Sequence, residues 1–211
     1  MRRSRRSSRR AASRKRRPRA TKLILGLGNP GDRYRDTRHN VGFRVVEEVS
    51  RRRGVRLEGL ECNALVAKLP ADAGGVELAL AEPQTYMNRS GYAARCLAER
   101  WTVEPADLLV VYDEVNLPLG RLRLRRAGSP GGHRGMESIL ESLQTDQVPR
   151  LRCGVAGPDG APGGEAMFDY VLSPFLPEER AVVAEMVARA ADACEVWAAE
   201  GADAAMQRFN G

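Results

Sequence analysis

The sequence predicts a single α/β domain: a mixed, largely parallel twisted sheet flanked by helices on both faces. Three observations carry this expectation. Short apolar runs alternate with amphipathic stretches along most of the chain, the pattern of strands joined through helices. The 211 residues give room for one domain with a substantial core and some length left over. The charge is divided between a strongly basic leader and a mildly acidic remainder.

Residues 1–22 contain ten Arg, two Lys and no acidic residue. The other 22 basic and 27 acidic residues leave the rest of the chain at −5, although the whole carries +7. Residues 1–21 therefore read as a disordered Arg-rich arm, too poor in apolar residues to bury anything, and residues 22–211 as the folded domain. Such an arm suits solvation, or attraction to RNA phosphates through counterion release. Its Arg and Ser content also resembles an organelle transit peptide, without the apolar residues a presequence helix needs. The missing apolar h-region excludes a secretory signal, and no run is long enough to cross a bilayer. Cys62, Cys96, Cys153 and Cys194 are far apart, form no C-x-x-C pair and have only two histidines for company. This argues against a zinc site and suggests free core thiols in a reducing, cytoplasmic compartment.

Each element has its own signal. Leu23–Leu27 is an apolar run closed by glycine, a buried strand. Asn40–Arg52 carries Val41, Phe43, Val45, Val46 and Val49 among charges, a helix ended by Gly54. Ala64–Lys68 and Val76–Ala81 read as strands joined across Asp72-Ala73-Gly74-Gly75. Ser90–Trp101 reads as a helix and Leu108–Tyr112 as a central strand ending at Asp113. Arg121–Arg125 alternates strictly, a half-exposed strand with its arginines on one face. Gly131–Leu143 opens a helix after glycines, Leu151–Ala156 is a further strand, and Pro177–Glu200 is a long helix stopped by Gly201.

Gly26-Leu27-Gly28-Asn29-Pro30-Gly31 spells G-x-G-x-x-G, the fingerprint of a dinucleotide fold. That fold needs its helix to open at the third glycine, so that free N–H groups face the pyrophosphate. Here Pro30-Gly31 turns the chain, and a polar run from Asp32 to His39 delays the helix. An NAD-dependent oxidoreductase is therefore a distant reading.

Sites in such sheets gather at the carboxyl ends of the strands. Three loops there are polar: one with Asn29, Tyr34 and His39, one spanning Pro83–Ser90 with Met87 and Asn88, and one spanning Asp113–Pro118. His39 suits a base that takes a proton from water, and Asp113 suits the group that orients it. Amide donors from Asn29 and Asn88 suit a developing oxyanion. Asp113-Glu114 does not read as a magnesium site, because adjacent strand carboxylates point apart. Gly128–Gly135, which includes His133 and Arg134, suits an anion site at a helix entry, helped by Arg121, Arg123, Arg125 and Arg126.

LILGLGNPGDRYRDTRHNVGF, PQTYMNRSG and VYDEVNLPLGRLRLRRAGSPGGHRGMESI resemble, in order, three signatures of the bacterial-type peptidyl-tRNA hydrolases. The similarity continues through LRCGVAGP and FDYVLSPF and covers about residues 22–210. The resemblance implies hydrolysis of the ester between a nascent peptide and the 3′-terminal ribose of tRNA, by a monomer without metal or organic cofactor. It implies His39 as catalytic base and Asp113 as its orienting partner. It further implies Asn29 and Asn88 as substrate-positioning groups, Tyr34 and Met87 along the peptide cleft, and Arg123 and Arg125 near the tRNA 5′-phosphate. Arg134 departs from the family pattern, which usually has Asn there, so it cannot make the same short amide contact. The alternative implied is a non-catalytic RNA-binding relative of the kind that acts in organellar intron splicing.

Overall fold

The elements, in chain order, are β1 (Thr21–Gly26), α1 (Val41–Arg52), β2 (Gly59–Glu61), β3 (Ala64–Leu69), β4 (Glu77–Pro83), α2 (Ser90–Trp101), β5 (Leu108–Pro118), β6 (Leu122–Arg125), α3 (Arg134–Leu143), β7 (Arg150–Ala156), α4 (Ala166–Val171), α5 (Arg180–Glu200) and α6 (Ala202–Phe209). They come from a computed structural model that describes residues 21–70 and 76–210. The expected disorder of residues 1–20 and the turn at Asp72–Gly75 lie outside the described residues.

The strands form one sheet in the order β2-β3-β4-β1-β5-β7-β6. The central β4, β1, β5 and β7 run parallel, and β2, β3 and β6 join antiparallel at the two edges. Alternation along the buried strands feeds two apolar layers. Ile24, Leu109 and Val111 pack with Val45, Val46 and Val49 of α1 and with Val183, Met186 and Trp197 of α5. Leu23, Leu25, Val110 and Tyr112 pack on the other face with Ala93, Ala94 and Leu97 of α2 and with Met136 and Ile139 of α3.

Glycine allows the close approaches that draw the site together. A Cβ on Gly42 would lie 2.4 Å from the Val111 carbonyl oxygen and 2.5 Å from the Leu27 nitrogen, so α1 starts directly against the ends of β1 and β5. A Cβ on Gly91 would lie 2.0 Å from the Ser138 carbonyl oxygen, where α2 crosses α3. In the opening motif, a Cβ on Gly26 would lie 2.3 Å from the Gly42 carbonyl oxygen and one on Gly28 would lie 2.8 Å from the Phe43 ring. These two glycines thus serve helix–strand contact, whereas Gly31, at φ 101°, serves the turn.

Several boundaries differ from expectation. Thr21 already pairs with Glu77 in β1, and Lys22 donates to the Trp197 and Ala198 carbonyls at 3.0 and 2.9 Å. Thr21, expected in the arm, is therefore already part of the sheet. β5 runs on to Pro118, so Asp113 is a strand residue and not part of a loop after it. β2, α4 and α6 are too short to have shown a period. The cysteines also correct the reading. Cys62 and Cys96, 34 residues apart, form a disulfide, whereas Cys153 and Cys194 are free and buried as expected. Left-handed Cys62 and Asn63 turn the β2–β3 hairpin toward α2, a proximity that sequence separation hides.

Glu82, near the end of β4, is 5% exposed and its Oε1 has no hydrogen-bond partner. Burial, followed by the charge of Glu47, pushes its carboxyl from 4.5 up to about 8. The folded state thus binds the proton more tightly than the unfolded chain, and stability falls as pH rises from about 4.5 to about 8. The loss is at most about 1.4 kcal/mol per pH unit. Glu82→Gln removes this loss, so urea midpoints of the parent and variant should separate increasingly toward alkaline pH, with the variant more stable.

Candidate active site

β1 stops pairing with β5 at Gly26–Val111, while β5 continues beside β7 through Asp113–Cys153 and Glu114–Gly154. Asp113 therefore has a strand on one side and an open crevice on the other, at the carboxyl ends of the parallel strands. The turn Arg38–Asn40, which leads into α1, brings His39 into that crevice.

Arg38 holds this turn in place. It is 3% exposed, pairs with Glu179 at 2.7 Å, bonds Ser173 Oγ and the Pro174 carbonyl, and lies over the rings of Tyr170 and Phe175. Asn40 holds the other side: its Oδ1 accepts from the Asn29 N–H and its Nδ2 donates to the Asn29 carbonyl, both at 2.9 Å. Asn29 Oδ1 in turn accepts from the Met87 N–H at 2.9 Å, which leaves its Nδ2 for the cleft. Three loops distant in sequence are thus joined by asparagine–backbone bonds.

Asp113, 2% exposed, receives two imidazoles. His39 Nδ1 lies 2.8 and 3.0 Å from its two carboxylate oxygens, and His133 Nε2 lies 3.0 Å from Oδ1. The backbone identifies the tautomer of His133: its Nδ1 accepts from the Met136 N–H at 3.2 Å, so its proton sits on Nε2 and is donated to Asp113. His39 correspondingly donates from Nδ1, and its Nε2 has no protein partner among the described residues. Tyr112 supports His133 from below, with ring centroids 4.6 Å apart, and the two histidine rings lie 5.0 Å apart.

Burial alone would raise the Asp113 carboxyl, but the charges and hydrogen bonds of His39 and His133 hold it well below the usual carboxylate range. Burial pulls the His39 imidazole down, whereas the charge and hydrogen bond of Asp113 pull it up, and the balance leaves it above 6.5. Among the described residues, the His39, Asp113 and His133 ligand atoms lie within 4.8 Å of one another. An ion there would take over the two nitrogens that already satisfy Asp113.

These groups open into a cleft of about 590 Å³. Asn29, Tyr34, His39, Met87, Asn88, Asp113 and Arg134 line it, so the structure brings together these sequence candidates. Arg123 and Arg125 do not join them. With Arg121 and Asn210 they line a second groove of about 460 Å³ beside the edge strand β6. The glycine loop and the arginine strand, expected as one anion site, are therefore two places, and Arg126 pairs with Asp203.

Sequence reasoning missed His133 as a partner of Asp113, because its glycine-rich surroundings read as a phosphate loop. It also missed Arg38 and Asn40, whose roles depend on distant partners. Arg150, fully buried, donates to the Gly128, Ser129, Asp146 and Val148 carbonyls and anchors the start of the glycine loop. Arg152, paired with Glu114 at 3.2 Å, stands opposite Arg123 in the sheet and adds to the β6 arginines. Asp113→Asn removes the charge that offsets burial at His39. The His39 pKa should then fall below 6.5, which a ring-proton NMR titration of parent and variant would read.

A family model described as peptidyl-tRNA hydrolase matches residues 23–211. The peptidyl-tRNA hydrolase of Chloroflexus aggregans is 49% identical over 189 residues, which cover 89% of this chain and 98% of the relative. That of Aquifex aeolicus is 47% identical over 169 residues, covering 80% and 85%. The crystal structure of peptidyl-tRNA hydrolase from Acinetobacter baumannii superposes with a TM-score of 0.82 at 29% identity, covering 90% of this chain and 95% of that one. With sequence and fold in agreement, the chain belongs to the peptidyl-tRNA hydrolase family and is an enzyme of that activity.

Proposed function

We propose that His39 is the general base of this hydrolysis and that Asp113 orients it. The observation that carries the reading is the shared carboxylate. Asp113 commits His39 Nδ1 to donation and leaves Nε2 as the basic nitrogen facing the cleft. Nε2 takes a proton from water as the water oxygen attacks the ester carbonyl carbon. Asn29 Nδ2 and the Asn88 amide donate to the oxygen that becomes negative. The tetrahedral intermediate collapses by breaking the bond to the ribose oxygen, which receives the proton from Nε2. The products are a peptide carboxylic acid, which ionises, and tRNA with a free terminal ribose. His133, fixed by Met136, supplies a second donor that keeps Asp113 ionised and stationary.

Tyr34 and Met87 line the path of the peptide in this reading, and Arg123 and Arg125 hold a tRNA phosphate in the second groove. Support for the latter comes from the crowding of Arg123, Arg125 and Arg152. Burial, followed by the charges of Arg123 and Arg152, lowers the Arg125 pKa, so an anion there would relieve repulsion. The protein acts as a monomer in the cytoplasm, where stalled ribosomes leave peptidyl-tRNA, and returns the tRNA to translation. No described helix is long and apolar enough to cross a membrane.

Release of labelled N-acetyl-aminoacyl groups from tRNA tests the assignment. His39→Ala should lose about 10²–10⁴-fold in kcat while still binding tRNA. A His39→Ala rate within a few-fold of the parent would rule out His39 as the base.

A further inference from the structure

Resting on this reading, we infer that Arg134 grips the phosphate on the 5′ side of the terminal nucleoside, the phosphate nearest the scissile ester. Arg134 lines the same cleft as Asn29, His39 and Asn88, and follows directly on His133, whose ring lies 5.0 Å from that of His39. Its side chain is exposed and makes no ion pair or hydrogen bond among the described residues. Some surface arginines find acids, as Arg51, Arg52, Arg53, Arg95, Arg100 and Arg208 do. Arg134, like the exposed Arg35, Arg89, Arg121 and Arg123, has no ion pair among the described residues; of these, Arg134 alone lines the cleft that holds His39. The acids of the cleft are already committed. Asp113 serves two imidazoles, and Glu114 serves Arg152 and both nitrogens of Asn116. Arg134 is thus a free cation at the rim of the catalytic cleft.

There is space beside it for a sugar–phosphate. Gly131 and Gly132 form the adjoining stretch of the cleft wall, and a Cβ on either would meet nothing within 4 Å. The substrate narrows the choice of anion. Peptide side chains vary from one substrate to the next, whereas the terminal nucleotide always carries a phosphate a few bonds from the ester oxygen. The β6 arginines line a different groove, so they leave this phosphate for another residue. A guanidinium presents two parallel N–H donors that match two phosphate oxygens. Binding there would hold the ribose so that its ester carbonyl faces His39 Nε2.

The test is kcat/KM for N-acetyl-aminoacyl-tRNA across a range of salt concentrations, in the parent, Arg134→Gln and Arg134→Lys. Loss of one phosphate contact should reduce the slope of log kcat/KM against log salt by about 0.7 in Arg134→Gln, with about a tenfold lower value at low salt. Arg134→Lys should retain most of the slope. The slope reports charge neutralised on binding, so a partly unfolded variant would lower the rate at every salt without moving it. An unchanged slope in Arg134→Gln, with the parent active, would overturn the inference and leave the hydrolase reading intact. A loss confined to substrates with an acidic C-terminal residue, seen by comparing glutamyl with glutaminyl esters, would also overturn it, because Arg134 would then be binding the peptide. A parent that releases nothing would defeat the underlying reading itself.

Discussion

The site depends on one buried carboxylate. Asp113 sits where β5 outruns β1, closed off from solvent, and accepts an N–H from each of two imidazoles. A lone carboxylate would be protonated at such a depth. Two imidazole donors keep it charged, and its charge in turn makes His39 a stronger base than burial alone would allow. Neither effect exists without the other. The surrounding fold serves this arrangement. Arg38 clamps the turn carrying His39 to the segment before α5, and Arg150 clamps the loop leading to His133.

The same economy appears in the asparagines. Asn40 and Asn29 exchange two bonds, and Asn29 then captures the Met87 N–H. Loops after β1 and β4 are thereby locked in register with each other, and of the Asn29 side chain only Nδ2 is left for the cleft. Tight helix contacts at Gly42 and Gly91 bring α1, α2 and α3 near enough for those loops to meet. A second groove beside β6, lined by Arg121, Arg123 and Arg125, is separate from the cleft that holds His39 and Arg134.

Much of this was legible from the residues. The period of Val41, Val45, Val46 and Val49 marks α1, and the apolar run at Leu108–Tyr112 marks the central strand, because burial on one or both faces imposes those patterns. His39, Asp113, Asn29 and Asn88 were recognisable as polar groups at strand ends, and the ordered motifs gave them roles. Properties that depend on partners far along the chain were not legible. His133 looked like part of a phosphate loop because nothing local reveals that its Nε2 reaches Asp113. The Cys62–Cys96 bond joins a hairpin turn to α2 across 34 residues, and Arg38 meets Glu179 across 141. β2 and α4, with three and six residues, were too short to carry a periodic signal.

The protonation pattern around Asp113 is the claim on which the mechanism rests, and ¹⁵N NMR of the histidine rings reads it directly. Above the raised His39 pKa, the account predicts His39 with its proton on Nδ1 and a bare Nε2, and His133 with its proton on Nε2. A His39 that carries its proton on Nε2 would have no basic nitrogen facing the cleft, and that result would contradict the account.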